Sequence, residues 1–250
     1  MSIRSDPYQE SQRIIDEGKA QRLTLRLLGG LAIRIHSPSA EHRSLARPYP
    51  DLDFVLGEKR SDRAESLLTQ LGYEPDKTFN LLNGDHRLLF YDAGSNRQVD
   101  IFLGQFRMCH ALPVRERMIL EAMTLPLAEL LLTKLQIVQM NKKDVQDICA
   151  LLLDHPLGDT DDETINLLRI VELCGDDWGL WRTVTLSLDK VWDTSRTFDM
   201  EEGAKQTICG RADELRQALE AAPKSLRWKL RARVGERVPW YDLPEEVKRA

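Results

Sequence analysis

The stretch Asp51-Leu-Asp-Phe-Val-Leu56 sets two carboxylates between apolar side chains and then runs on as an apolar strand. Successive side chains of a strand point to opposite faces, so Asp51 and Asp53 share one face while Leu52 and Phe54 share the other. Two unpaired carboxylates held that close repel, and each favours its protonated form. A strand of this kind must therefore turn its acidic face to water or hold a cation there. A divalent cation removes the conflict, and magnesium in particular takes a small number of carboxylates together with phosphate oxygens.

The surrounding sequence supplies more of the same chemistry. In Gln98-Val-Asp-Ile-Phe-Leu-Gly104 a third acid, Asp100, stands between Val99 and Ile101, again inside an apolar strand. It follows a run from His86 to Asp92 and a short Ala-Gly-Ser-Asn-Arg turn, the pattern of a β-hairpin. If that hairpin pairs beside the first acidic strand, Asp51, Asp53 and Asp100 converge. Upstream, the Leu-rich run from Arg22 reads as a strand ending at Gly29-Gly30. Glycines between a strand and a helix let the backbone approach a phosphate, and the helix N-terminus adds N–H donors and partial positive charge. Phosphate-binding glycines, a D-x-D strand and a later acid together fit metal-assisted phosphoryl transfer.

The remaining elements set the frame. Residues 8–20 read as an amphipathic helix, with Ile14 and Ile15 on one side. Leu31-Ala-Ile-Arg-Ile-His-Ser37 reads as a short helix or turn. Residues 37–50, with three prolines, read as a loop. Ser61 and Asp62 are candidate N-caps of a helix stopped by Gly72. After Pro113 the periodicity becomes helical: Pro126–Met140, a second segment after Asn141, an acidic surface connection from Asp154 to Glu163, and further helices to the C-terminus. The expected fold is α+β: a core over residues 1–123 built on a small mixed sheet, followed by a helical half over 124–250.

Bulk properties narrow the class. Over 250 residues, 42% hydrophobic and 30% charged positions describe an ordinary globular chain. A net charge of -5 speaks against a general nucleic-acid coat. Cys109, Cys149, Cys174 and Cys209 lie far apart without C-x-x-C spacing, which excludes a cysteine zinc site and fits a reducing, cytoplasmic setting. The first eighteen residues lack the apolar stretch of a secretory signal, and the longest apolar run is broken by Glu129 and Lys134, so no membrane span is expected.

The set Leu27-Leu-Gly-Gly-Leu-Ala-Ile-Arg-Ile-His-Ser-Pro, Arg47-Pro-Tyr-Pro-Asp-Leu-Asp-Phe-Val-Leu and Arg97-Gln-Val-Asp-Ile-Phe-Leu-Gly resembles the DNA polymerase β-like nucleotidyltransferase superfamily. Within it, the chain looks most like the bacterial small nucleotidyltransferases that include AbiE-type toxins and some aminoglycoside nucleotidyltransferases. The resemblance spans residues 25–153. It implies a nucleotidyltransferase core in which Asp51, Asp53 and Asp100 are catalytic and hold Mg2+, as a two-metal site. It implies that Gly29, Gly30, Arg47 and Lys134 bind the nucleotide, with Asp144 or Asp147 nearby. It also implies an NTP substrate, an acceptor that is tRNA, protein or a small molecule, and an antitoxin partner. The chain departs from the family pattern at Tyr49, where a small polar residue is common, and in its longer spacing from Gly30 to Asp51.

Other conspicuous residues have plainer readings. His36, His42, His86, His110 and His155 are scattered, without metal-ligand spacing, and read as structural or surface groups. Trp178 and Trp181 lie three apart and read as packing on one helix face, with base stacking as the alternative. Lys224–Arg237 carries six basic residues and one acid around Trp228, a solvated face or a contact for RNA or an acidic partner. Two functions follow: a metal-dependent transferase that moves an NMP from an NTP to an acceptor hydroxyl and releases pyrophosphate, or a non-catalytic relative that binds a nucleotide or protein. Three converging carboxylates favour the transferase.

Overall fold

A computed structural model of the chain describes residues 3–92, 94 and 97–245. It is a mixed α+β protein with a small mixed sheet and a helical half. Two compact units divide it. One comprises Met1–His36, Arg47–Arg107 and Leu112–Leu130; the other comprises Ser37–Ala46, Met108–Ala111 and Leu131–Ala250. Among the described residues no helix is long and apolar enough to cross a membrane.

The first unit holds a five-stranded sheet in the order β1 (Leu25–Leu28), β2 (Leu52–Leu56), β5 (Arg97–Leu103), β4 (Arg87–Asp92), β3 (Glu74–Pro75). Only β2 and β5 run parallel; the other neighbours are antiparallel. The register sets Asp53 beside Leu28 on one side and Asp100 on the other. One sheet face therefore carries Leu25, Leu27, Leu52, Phe54 and Leu56, each buried. Helices α1 (Pro7–Ala20) and α3 (Ser61–Gln70) cover it: Gly18 of α1 lies against Leu25 and against Leu67 of α3. Burial of this aliphatic face drives the unit together. The other face presents Asp53 and Asp100. The outer edge of β1 is bonded by Met123 and Leu125, which protects it from foreign strands.

Local boundaries differ from the sequence reading in specific ways. The strand starting at Arg22 is shorter, because Gly29 and Gly30 already form the first turn of α2 (Gly29–His36), a regular helix. The prolines of the loop at 37–50 admit one short 3-10 turn at Pro38–Glu41. Ser61 and Asp62 lie inside α3, and Arg60 occupies the cap position without a side-chain bond to the helix backbone, its guanidinium pairing with Asp62 instead. A helix that the sequence reading lacked, α4 (Lys77–Asn83), is capped by Asp76, whose carboxylate accepts from the Phe79 N–H at 2.9 Å. Asp6 caps α1 in the same way through Gln9 at 2.8 Å; such caps contribute about 1 kcal/mol each. The hairpin of β4 and β5 is present, with Asp92 opposite Arg97. Of its turn, Ala93, Ser95 and Asn96 lie outside the described residues.

The second unit is helical: most of α5 (Leu127–Leu135), then α6 (Lys142–Asp154), α7 (Leu167–Asp176), α8 (Trp178–Ser195), α9 (Glu202–Ala221) and α10 (Leu226–Val234). Ile148, Leu151, Ile170, Val184, Leu188, Ile208, Leu215 and Leu219 form its interior. Asn141 opens α6 with a capping box, accepting from the Lys143 and Asp144 amides while Asp144 accepts from the Asn141 N–H. His110 is buried and bonded to Thr183 at 2.8 Å, His86 pairs with Asp85 at 2.7 Å, and His36 meets Thr124 at 2.7 Å, all structural contacts. Trp178 and Trp181 do pack, but onto different rings: Trp240 at 6.1 Å and Trp228 at 5.2 Å, both edge-on.

Candidate active site

The site is built from the β1–α2 turn outward. Gly29 has φ +71°, in the left-handed region that side chains disfavour. A Cβ there would lie 2.1 Å from Asp53 Oδ2, so the turn is closed directly over that carboxylate. A Cβ on Gly30 would meet the Arg47 guanidinium, 1.7 Å from Nη2. The two glycines thus have distinct jobs: one leaves room for an acid, the other for a cation. Arg47 also donates to the Pro48 carbonyl at 3.0 Å and stacks over the Tyr49 ring at 4.2 Å. Tyr49, the departure from the family pattern, is therefore the surface on which Arg47 rests. Beside them opens a cavity of about 580 Å3 whose walls include Tyr8, Leu31, Arg34, Ile35, Arg47 and Tyr49. That volume lies within the range of small-molecule sites.

Asp51 precedes β2, Asp53 lies within it, and both are half-buried. Asp100 is register partner to Asp53 across the parallel β2–β5 pair, so the two carboxylates leave the sheet on the same side. Asp100 is 2% exposed and held at both oxygens: Arg87 Nε donates to Oδ1 at 2.7 Å, and Gln98 Nε2 donates to Oδ2 at 2.6 Å. Arg87 lies over the rings of Phe79 at 5.3 Å and Phe102 at 5.1 Å. Arg87 and Gln98 are the two site residues that sequence reasoning missed. The signal was available: with Asp92 paired to Arg97, counting back along the hairpin puts Leu89 opposite Asp100 and Arg87 diagonal to it on the same face.

The fold thus brings Gly29, Gly30, Arg47 and Asp53 together and sets Asp100 abreast of Asp53. Among the described residues, however, no three His, Cys, Asp or Glu side chains form a group that could hold a metal. The donor chemistry of Asp51 and Asp53, two half-buried carboxylates one strand repeat apart, fits a hard divalent cation. Asp100 keeps lone pairs beyond its bonds to Arg87 and Gln98, but it does not complete a three-acid group with Asp51 and Asp53 among the described residues.

Lys134 belongs to the helical unit. Its ammonium lies 3.1 Å from Asp144 and 2.9 Å from Asp147, with all three side chains largely buried. Asp144 also completes the capping box of α6, so this cluster ties α5 to α6.

No protein-family model matches the chain, and no curated protein matches it in sequence. Among solved structures it is similar to an antigenic nucleotidyltransferase-like protein from Paracoccidioides brasiliensis, with 12% identity and a TM-score of 0.43 over 87% of this chain and 93% of that one. It is also similar to a tRNA-processing enzyme in its apo form, with 12% identity and a TM-score of 0.36 over 89% of this chain and 50% of that one.

Proposed function

We propose that the chain is a magnesium-dependent nucleotidyltransferase. The observation that carries this reading is the alignment of Asp53 with Asp100 on adjacent parallel strands, directly under a left-handed glycine turn. Asp51 and Asp53 would hold the cation, joined by Asp100. When bound, the cation supplies Lewis-acid polarisation of phosphate oxygens and charge neutralisation. The chain's own groups do the rest. The Gly29–Gly30 turn admits a phosphate close to the backbone at the start of α2, where N–H donors and the helix dipole favour an anion. Arg47, set against Gly30, offers a guanidinium to phosphate oxygens. Asp100, fixed by Arg87 and Gln98, is oriented to accept the proton of an acceptor hydroxyl. That oxygen then attacks the α-phosphorus of the NTP, and pyrophosphate leaves with the electrons of the broken P–O bond. The acceptor is a hydroxyl of tRNA, of protein or of a small molecule. Nucleotide binding by Lys134, like an AbiE-type role with an antitoxin partner, rests on the family resemblance.

A second reading, a nucleotide- or protein-binding relative without catalysis, is favoured by one observation: both oxygens of Asp100 are already engaged by buried donors, and among the described residues it joins no three-acid group. One experiment separates the two. The protein is incubated with each α-labelled NTP, Mg2+ and a cell extract, and labelled products are identified. Transfer of label by the wild type and its loss in Asp53→Ala support the transferase. NTP binding without any labelled product supports the second reading.

A further inference from the structure

The basic segment around Trp228 is left over by the chemistry above. It forms α10, and no residue of that helix is buried. Leu226, Leu230 and Val234 recur every fourth residue, so they line one side of the helix. They are 73%, 52% and 40% exposed. Among the described residues, five of the twelve exposed large hydrophobics (Leu226, Leu230, Val234, Val238 and Leu243) fall in this one short stretch. The opposite side of α10 is the one used internally: Trp228 packs edge-on against Trp181, and Arg231 lies over the Trp178 ring at 4.7 Å.

The aliphatic stripe is bordered by exposed cations, Lys229 and Arg233 on one flank and Arg227 on the other. The one acid of the segment, Glu236, is paired with Arg182 at 2.6 Å and does not offset them. An aliphatic seam flanked by like charges is the half-interface of a paired helix, in which flanking charges choose the partner.

We propose that the outer face of α10 docks an acidic amphipathic helix of a partner protein, whose apolar seam meets Leu226, Leu230 and Val234 and whose Glu or Asp side chains meet Arg227, Lys229 and Arg233. A second copy of this face would set cation against cation. Nucleic acid would gain nothing from the aliphatic seam, and Trp228, the ring able to stack on a base, is turned inward. A lipid surface would find only three aliphatic anchors on a helix of nine residues.

The test uses the full chain and a designed helical peptide with a leucine seam flanked by glutamates, followed by fluorescence anisotropy. A matched peptide with lysine at the flanks, vesicles of phosphatidylcholine and phosphatidylglycerol, and a single-stranded RNA are the other probes. The acidic peptide is expected to bind, the lysine peptide to bind at least about tenfold more weakly, and added salt to weaken the acidic complex. Leu226→Ser with Leu230→Ser, both at exposed positions, is expected to lower affinity about tenfold or more, and Lys229→Glu with Arg233→Glu to do the same with the seam intact. Absence of peptide binding, equal binding by either double variant, or tighter binding to vesicles or RNA than to the acidic peptide overturns the proposal.

Discussion

Each unit of the molecule has a buried cation paired with acid, Lys134 in one and Arg87 in the other, and these two clusters differ in what surrounds them. In the helical unit, Lys134 faces Asp144 and Asp147, and Asp144 also caps α6. That cluster fastens two helices and is explained by doing so. In the sheet unit, Arg87 and Gln98 hold a single acid, Asp100, beside a second acid, Asp53, which lies under a left-handed glycine turn. No helix end needs Asp100 there, and its neighbour adds repulsion to the cost of burial. The sheet cluster caps no helix and sets two acids side by side, which makes it the candidate site; the helical cluster fastens two helices.

The largest effect that sharpens this contrast is on chemistry. Asp53→Asn is expected to lower nucleotidyl transfer by about a thousandfold or more, the scale of removing a group that stabilises developing charge, while leaving the thermal midpoint close to wild type. Steady-state transfer assays and a thermal melt check it. Retained transfer would reduce the sheet cluster to the same structural rank as the helical one.

Next come the two cations. Arg87→Met and Lys134→Met each leave buried carboxylates uncompensated, at a cost of about 3–5 kcal/mol. Urea unfolding of both variants measures it. The contrast lies in a second readout: at a temperature where both variants are folded, Arg87→Met is expected to impair transfer strongly and Lys134→Met to leave NTP affinity within about threefold. Loss of NTP affinity in folded Lys134→Met would give the helical cluster a role at the nucleotide.

The glycines rank third. Gly29→Ala forces a side chain into the left-handed region and against Asp53, at about 1–3 kcal/mol, measured by chemical denaturation. Gly30→Ala displaces only the far end of Arg47, so it is expected to weaken nucleotide affinity with a smaller change in stability. If Gly30→Ala is the more destabilising of the two, the turn is structural and the phosphate role fails.

The smallest effect concerns acid. Burial, the largest influence on Glu10, pushes its pKa up, but hydrogen bonds from Arg13, the Arg4 backbone and Tyr73 outweigh it and leave it lowered. Its contribution is therefore present above the ordinary glutamate range and lost as pH falls below about 4.5. In the helical unit, burial lowers the pKa of His110 against the opposing pull of Asp177 and Asp242. A histidine kept neutral in the fold takes up its proton more readily when unfolded, so its contribution is full above about pH 6.5 and declines below it. Hydrogen exchange followed against pH should show the helical unit loosening first, and His110→Gln should remove that early phase. Simultaneous onset in both units would contradict the assignment.

Much of this was legible in the chain. Alternation fixed β2 and its two faces, the hairpin turn fixed β4 and β5, and Gly29-Gly30 marked the strand-to-helix turn, because these features depend on neighbours in sequence. The short α4 escaped notice, since a seven-residue helix carries little periodicity and depends on the single cap at Asp76. What the sequence determined by itself is that Asp51 and Asp53 share a face, that Asp100 lies in a second apolar strand, and that a basic segment surrounds Trp228. Only the tertiary structure decided that Asp100 stands abreast of Asp53, that Arg87 and Gln98 hold it, that Arg47 rests between Gly30 and Tyr49, and that Trp228 turns inward while Leu226 and Leu230 face out. Side-chain direction within an element follows from backbone period, whereas the choice of partner follows from register and packing between segments far apart in the chain, where any of several acids and cations could have met.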